Sequence, residues 1–276
     1  MAGGALGLIA GGGDLPVALA ARCTAAGRPV FVVRLRGFAD PAALSAFPGA
    51  DAGLAELGRC LELLRAAGCT SVCFAGDVAR PDFAALKPDW RGLRELPGAV
   101  AAARRGDDAL LRFVLSMFER EGFRVEGAHE VDAALTLPSG ALGRLPLPPA
   151  CEEDAALALR TARAIGALDI GQGAVAAHGV VLAVEAQEGT DAMLRRVAGL
   201  PAALRAVGGV LAKAPKPMQE RRVDLPTLGA ATVRAAAAAG LAGIVGEAGG
   251  VLVLDRAGLA AAADELGLFV WGQVAD

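Results

Sequence analysis

The chain has 276 residues, 54% of them hydrophobic, and a net charge of -3. That length holds one large or two ordinary domains with ample material for buried cores, which excludes a disordered chain. The mild charge, without basic runs, excludes a nucleic-acid partner.

The five cysteines, Cys23, Cys60, Cys69, Cys73 and Cys151, are odd in number and form no CxxC pair. They read as reduced, buried apolar filler in a cytoplasmic protein. The first residues lack a basic segment ahead of their apolar run, so no secretory leader is expected. Mean hydropathy is high, +0.47, yet charge, Gly or Pro interrupts each apolar stretch before the ~20 residues a spanning helix needs. The expectation is a soluble protein, with peripheral contact to a membrane left open.

In chain order, Ala5 to Ala10 is an apolar run, Gly11 to Pro16 a turn, Val17 to Ala26 a helix and Pro29 to Val33 a Val-rich run. This is a β-α-β unit. A helix from Asp51 to Ala67 leads to a strand at Ser71 to Phe74, followed by a loop through Ala75, Gly76, Asp77 and Val78. Ligands gather at such loops in open parallel sheets. Asp108 to Phe118 is apolar nearly all round; core burial and an acyl-chain wall built on Phe113 and Met117 both fit it.

Four prolines between His129 and Cys151 place an interdomain linker at 133–150. It separates a Rossmann-like α/β domain at 1–132 from a second α/β domain at 151–276. In the latter, Glu152 to Ile165 reads as a helix, Val175 to Glu185 as a strand or hairpin and Asp191 to Val207 as a helix. Val210 to Lys213 reads as a strand, Thr227 to Gly240 as a helix, and Val251 to Leu254 and Leu268 to Trp271 as strands.

The second half gathers Glu185, Glu188, Asp191, Lys213, Lys216 and Asp224 around apolar segments. Acids could hold a divalent cation or activate water while lysines neutralise phosphate, so the cluster favours phosphate chemistry. Close carboxylates repel unless a cation intervenes, which points to a ligand or Mg2+, although Thr190 or Asp191 also suits a helix cap. Asp224, between Arg222 and Leu225-Pro226, reads equally as a cap for the Thr227 helix and as a catalytic acid. With only His129 and His178 present, a His-rich dinuclear metal site is excluded. His178 reads as structural, within a strand-like stretch.

Gly11-Gly12-Gly13 partly imitates a dinucleotide fingerprint, but Pro16 stands where its third glycine would be. A phosphate cradle and a purely structural turn both fit. An NADP-dependent oxidoreductase using Arg34 and Arg36, a non-catalytic nucleotide-sugar sensor and a lipid-binding module are the alternatives.

Six segments, Gly7 to Pro16, Asp169 to Gln172, Val181 to Asp191, Lys213 to Gln219, Asp224 to Gly229 and Leu268 to Gly272, together resemble the UDP-2,3-diacylglucosamine pyrophosphatase family of the LpxI type. The resemblance runs from end to end. It implies an enzyme of lipid A biosynthesis that hydrolyses UDP-2,3-diacylglucosamine to UMP and 2,3-diacylglucosamine 1-phosphate with Mg2+. It also implies two α/β domains with the substrate in the cleft between them; contact with the inner membrane and a homodimer are left open.

The family's essential aspartate maps onto Asp224, with Glu185, Asp191 and Asp224 as the expected metal ligands. Lys213, Lys216, Gln172, Glu188, Gly189, Thr190 and Gln219 are expected at the substrate. Topology adds Gly11, Gly12, Asp14, Leu15, Gly76, Asp77 and Val78. One departure stands: Glu220 follows Gln219 where an aspartate is expected, so Glu220 is left out of the metal set.

Overall fold

The computed structural model describes residues 4–79, 81–205, 208–217 and 220–275. They fall into two α/β units, Met1–Asp132 with Glu220–Val223, and Ala133–Gln219 with Asp224–Asp276. Among the described residues no helix is long and apolar enough to cross a membrane.

The first unit alternates β1 (Ala5–Ala10), α1 (Leu15–Ala25), β2 (Val30–Leu35), β3 (Gly49–Ala52), α2 (Leu57–Ala66), β4 (Cys69–Ala75), α3 (Trp90–Ala103), α4 (Asp107–Arg120), β5 (Arg124–Val125) and α5 (Ala128–Val131). Its strands pair in parallel in the order β3-β2-β1-β4-β5, a Rossmann-like arrangement. The order reverses between β1 and β4, so the loops after these two strands lie at the topological switch point. Ile9, Val33, Leu61, Leu64, Val72 and Phe118 pack a core on this sheet. All five cysteines are free and buried, and burial pushes the Cys60 and Cys73 thiols up to about 12.

Two elements differ from the sequence expectation. The helix expected from Asp51 begins only at Leu57, because Gly49–Ala52 pairs with β2 as a strand. The unexpected α3 carries Pro97 in its interior, a residue that reads against a helix; Asp89 starts it by accepting the Gly92 N–H at 2.8 Å.

A buried ion pair ties β5 to the α1–β2 turn. Arg28 donates from both terminal nitrogens to Glu126, each at 2.9 Å, and also to Ser71 Oγ at 2.9 Å. The Arg28 hydrogen bonds hold the Glu126 carboxyl below its usual range against the opposing effect of burial, with help from Ser71. A carboxyl so depressed stabilises the fold above its unfolded pKa, and that contribution is lost as pH falls through the folded value. Arg28→Ala is expected to cost about 3–5 kcal/mol at neutral pH by stranding the carboxylate. Urea melts should show the deficit shrinking as pH falls below the ordinary carboxylate range and through the depressed Glu126 value.

Glu220–Val223 belongs to the first unit although its flanks belong to the second. Glu220 N donates to Asp108 Oδ1 at 2.9 Å, Arg222 bridges Glu220 at 2.9 Å and Glu119 at 2.7 Å, and Val223 packs on the first core. The chain therefore passes between the units three times rather than through one linker.

The second unit contains β6 (Gly140–Ala141), α6 (Glu152–Ala167), β7 (Gly173–Ala177), β8 (Val180–Val184), α7 (Gly189–Ala198), α8 (Ala202–Arg205), β9 (Val210–Lys213), β10 (Thr227–Leu228), α9 (Ala230–Ala238), β11 (Gly243–Glu247), β12 (Leu252–Val253), α10 (Arg256–Leu266) and β13 (Phe269–Gln273). Its main sheet runs β6-β13-β11-β9-β7-β8. Strands β9, β11 and β13 are parallel, while β7 is antiparallel to β9 and to β8. Separate clusters around Leu211 and Ile244, and around Val210 and Val245, cover the sheet's two faces.

Residues 133–150, expected as a linker, fold into this unit. Leu135 and Leu137 are fully buried, Leu137 N donates to Val251 O and Leu142 N to Val270 O, each at 2.8 Å, and β6 pairs with the edge of β13. An edge position tolerates the prolines that suggested a break.

His178 sits in the exposed β7–β8 turn rather than in a strand, at φ 53°. The Asp154 carboxylate accepts its N–H at 2.9 Å and that of Gly179 at 2.8 Å. Helix α7 stops at Ala198, before Gly199-Leu200-Pro201, and Val207, the expected end, lies outside the described residues. The helix expected from Thr227 begins at Ala230, because Thr227–Leu228 pairs with β12. Strand β11 and helix α10 had no sequence expectation.

Candidate functional site

Strands β8, β9, β11 and β13 run in one direction and end on one edge of the sheet. That edge carries Glu185 just beyond β8, Lys213 at the end of β9, Glu247 at the end of β11 and Gln273 at the end of β13. Three are charged and buried: Glu185 is 6% exposed, Lys213 5% and Glu247 6%. Buried charges are costly unless paired, so such a row on a strand-end edge marks a site.

Lys213 organises it. Its Nζ donates to Thr190 Oγ1 at 2.8 Å and to the Thr227 carbonyl at 3.3 Å. Burial lowers its pKa, and the charges of Glu185 and Asp191 oppose that shift. The expected Glu185, Thr190, Asp191 and Lys213 are thus brought together. Glycines at 171 and 173 permit the approach of Glu185, since a Cβ on Gly171 would collide with its carbonyl and one on Gly173 with its Oε2.

Glu185 Oε2 and Gln172 Oε1 are buried without a hydrogen-bond partner. Gln172 is held from its backbone, its carbonyl accepting from Ala214 N at 3.0 Å.

The expected metal trio is not assembled. Among the described residues no three His, Cys, Asp or Glu side chains form a metal-holding group, so Asp224 does not join Glu185 and Asp191; their shared neighbour is the Lys213 ammonium. Mg2+ commonly uses only one or two protein carboxylates, with substrate phosphates completing its shell. The unpartnered Glu185 oxygen, with the Asp191 charge acting on the same lysine, fits that mode.

Other expected residues lie differently. Glu188 is exposed and turns to Arg196 at 2.5 Å, which is the main side-chain cause of its lowered pKa after a backbone hydrogen bond of its own residue. Gly189 opens α7 at φ 78°. Lys216 pairs with Asp169 at 2.7 Å. Gln219 lies outside the described residues.

Asp224 is half-buried, in the loop ahead of β10. It does not cap the following helix, whose N-cap is Gly229. Nor is the neighbouring Arg222 spent on it: Arg222 binds Glu220 and Glu119, and its hydrogen bonds hold the Glu220 carboxyl below its ordinary range.

In the first unit the two switch-point loops are joined. Gly12 N donates to Asp77 O at 2.8 Å, Asp77 N to Gly12 O at 2.9 Å, and Gly11 N to Ala75 O at 2.8 Å. A Cβ on Gly11 would lie 2.6 Å from Asp77 O, and one on Gly76 would collide with Gly12 O. The Gly11 and Gly12 N–H groups are engaged in this clasp, as the structural-turn reading expects. Gly13 and Asp14 remain exposed, and Leu15 begins α1. Arg34 and Arg36 are bound by Asp51 and Glu56, which removes the basis for a 2′-phosphate site.

Val78 borders an apolar cavity of about 340 Å3 within this unit, lined by Ile9, Phe74, Leu96, Leu111, Val114 and Met117 among others. Phe113 is not in its wall; its ring lies against Gly98 and below Arg120.

Sequence reasoning missed Glu247 and its partner Arg163 on α6, whose Nη2 lies 3.3 Å from the carboxylate. The available signal was the apolar run Gly243-Ile244-Val245-Gly246 closing on an acid, which is the pattern of Val181 to Glu185.

Comparison with known proteins accounts for nearly the whole chain. The model of the LpxI N-terminal domain matches residues 5–135 and that of the LpxI C-terminal domain residues 138–271. The chain belongs to the LpxI family. It is 64% identical over 271 residues to the UDP-2,3-diacylglucosamine pyrophosphatase LpxI of Caulobacter vibrioides, covering 97% of this chain and 96% of that protein. Both LpxI domains are thus present in the two α/β units.

Proposed function

We propose that this LpxI-family chain hydrolyses the pyrophosphate bond of UDP-2,3-diacylglucosamine, giving UMP and 2,3-diacylglucosamine 1-phosphate. The end-to-end identity with a protein of that name carries the reading. The strand-end edge supplies Lys213, which offsets negative charge on the non-bridging oxygens, and Asp224, from the loop whose Thr227 carbonyl Lys213 binds, accepts a proton from the attacking water as the P–O–P bridge breaks. Gln172, Thr190 and Lys216 orient the phosphates. Mg2+, when held by Glu185 and Asp191, would add charge neutralisation at the same oxygens. The test is incubation of the protein with UDP-diacylglucosamine and Mg2+, with mass analysis of products and a parallel chelator arm. Absence of UMP in the Mg2+ arm would sink the activity, and full turnover in chelator would sink the metal.

The cavity of the first unit suits the acyl chains, with Met117 in its wall and the exposed Gly13 and Asp14 left for the nucleotide or sugar. Small positions on its lining are the places to test this, and Ala99 on α3 is one of them. Ala99→Phe should occupy acyl space, raising KM about tenfold or more for long-chain substrate while sparing a short-chain analogue, since each excluded CH2 contact is worth about 0.8 kcal/mol. Equal KM changes for both substrates would remove the acyl assignment.

A further inference from the structure

The outer face of α3 differs from a surface of mixed charge. Its exposed positions Trp90, Leu93, Arg94, Pro97, Ala101 and Arg104 recur at helical spacing and form one stripe. Trp90 is 66% and Leu93 61% exposed. Arg94, Arg104 and the adjacent exposed Arg105 make no ion pair among the described residues. No acid lies on the stripe: Glu95, the helix's own carboxylate, lines the cavity and pairs with Arg120 at 2.8 Å. Asp89 is turned inward to Gly92 and Arg59, and Asp107, on the next helix past Arg105, is exposed at the border of the cavity.

We propose that this Trp90–Arg105 face docks on an anionic phospholipid surface, with Trp90 and Leu93 entering the headgroup boundary and the three arginines meeting lipid phosphates. Tryptophan favours that boundary, and a helix with one apolar–basic face lies in its plane. The charge complementarity is local, because the chain as a whole is negative. The opposite side of the same helix, through Gly92, Leu96 and Ala99, lines the apolar cavity. The docked helix would therefore stand between bilayer and acyl chamber, a role that rests on the proposed lipid substrate.

The chain has two tryptophans, Trp90 and Trp271, so Trp271→Phe leaves Trp90 as the sole reporter. With vesicles of phosphatidylcholine and phosphatidylglycerol, its emission should shift to the blue and be quenched by brominated lipid. Pure phosphatidylcholine should give neither effect, and high salt should reverse the binding. Each basic side chain at an anionic surface contributes about fivefold to partitioning, so Arg94→Gln/Arg104→Gln/Arg105→Gln should weaken it about 100-fold. Leu93→Asp should abolish the quenching. Hydrolysis of a soluble short-acyl substrate should be unchanged in these variants, which shows them folded. Unchanged vesicle partitioning in the triple variant, or a Trp90 that stays unquenched, overturns the docking surface. A wild type that binds vesicles but releases no UMP would instead overturn the catalytic reading alone.

Discussion

Asp224→Ala is expected to lower hydrolysis of UDP-diacylglucosamine by about 10²–10⁴-fold, the range for loss of a positioned proton acceptor. The structure removes the main competing role. A capping residue would cost stability when truncated, but α9 begins at Ala230 with Gly229 as its N-cap. Asp224 instead precedes Thr227, whose carbonyl accepts from Lys213. Asp224→Asn, which keeps the shape and loses the base, should be nearly as inactive as Asp224→Ala. Both should melt within about 1 kcal/mol of wild type, because a half-buried side chain contributes a single hydrogen bond's worth. Near wild-type turnover with a clearly lowered melting temperature would reverse the assignment.

Strands β1 and β9 were readable because each is a short apolar run bounded by Gly or Pro turns, and Ala5–Ala10 and Val210–Lys213 coincide with the expected segments. Long-range pairing was not readable. Gly49–Ala52 contains an acid and little β-propensity, and becomes a strand through β2; Thr227–Leu228 does so through β12. Of the polar cluster, local sequence placed Glu185, Thr190, Asp191 and Lys213 near one another, since they lie beside strand ends. It gave no sign that α7's own Arg196 pairs with Glu188, and passed over Glu247, which only the β9–β11 pairing brings to the same edge. The prolines of 133–150 signalled irregular backbone correctly but gave no sign that Leu137 is buried in the second core.

Lys213→Met should be the most damaging change to the second unit. Removing a positioned charge from a developing oxyanion costs about 10²–10³ in rate, and here the loss also touches the fold. Lys213 is 5% exposed and Glu185 6%, and their charges favour each other although no hydrogen bond joins them, so the variant takes the compensating charge from a buried carboxylate, a fault worth about 1–3 kcal/mol. The two effects can be separated. Adding Glu185→Gln to Lys213→Met removes the stranded charge and should restore most of the lost melting temperature, as expected for residues that share an interaction. It should restore no activity, because the cation proposed to face the phosphates is still missing. Lys213→Arg should not rescue turnover either, since a planar guanidinium cannot take the place of a compact ammonium held between the Thr190 hydroxyl and the Thr227 carbonyl. If the double variant hydrolyses substrate at a rate close to wild type, Lys213 serves only to neutralise Glu185, and the phosphate-facing role is wrong.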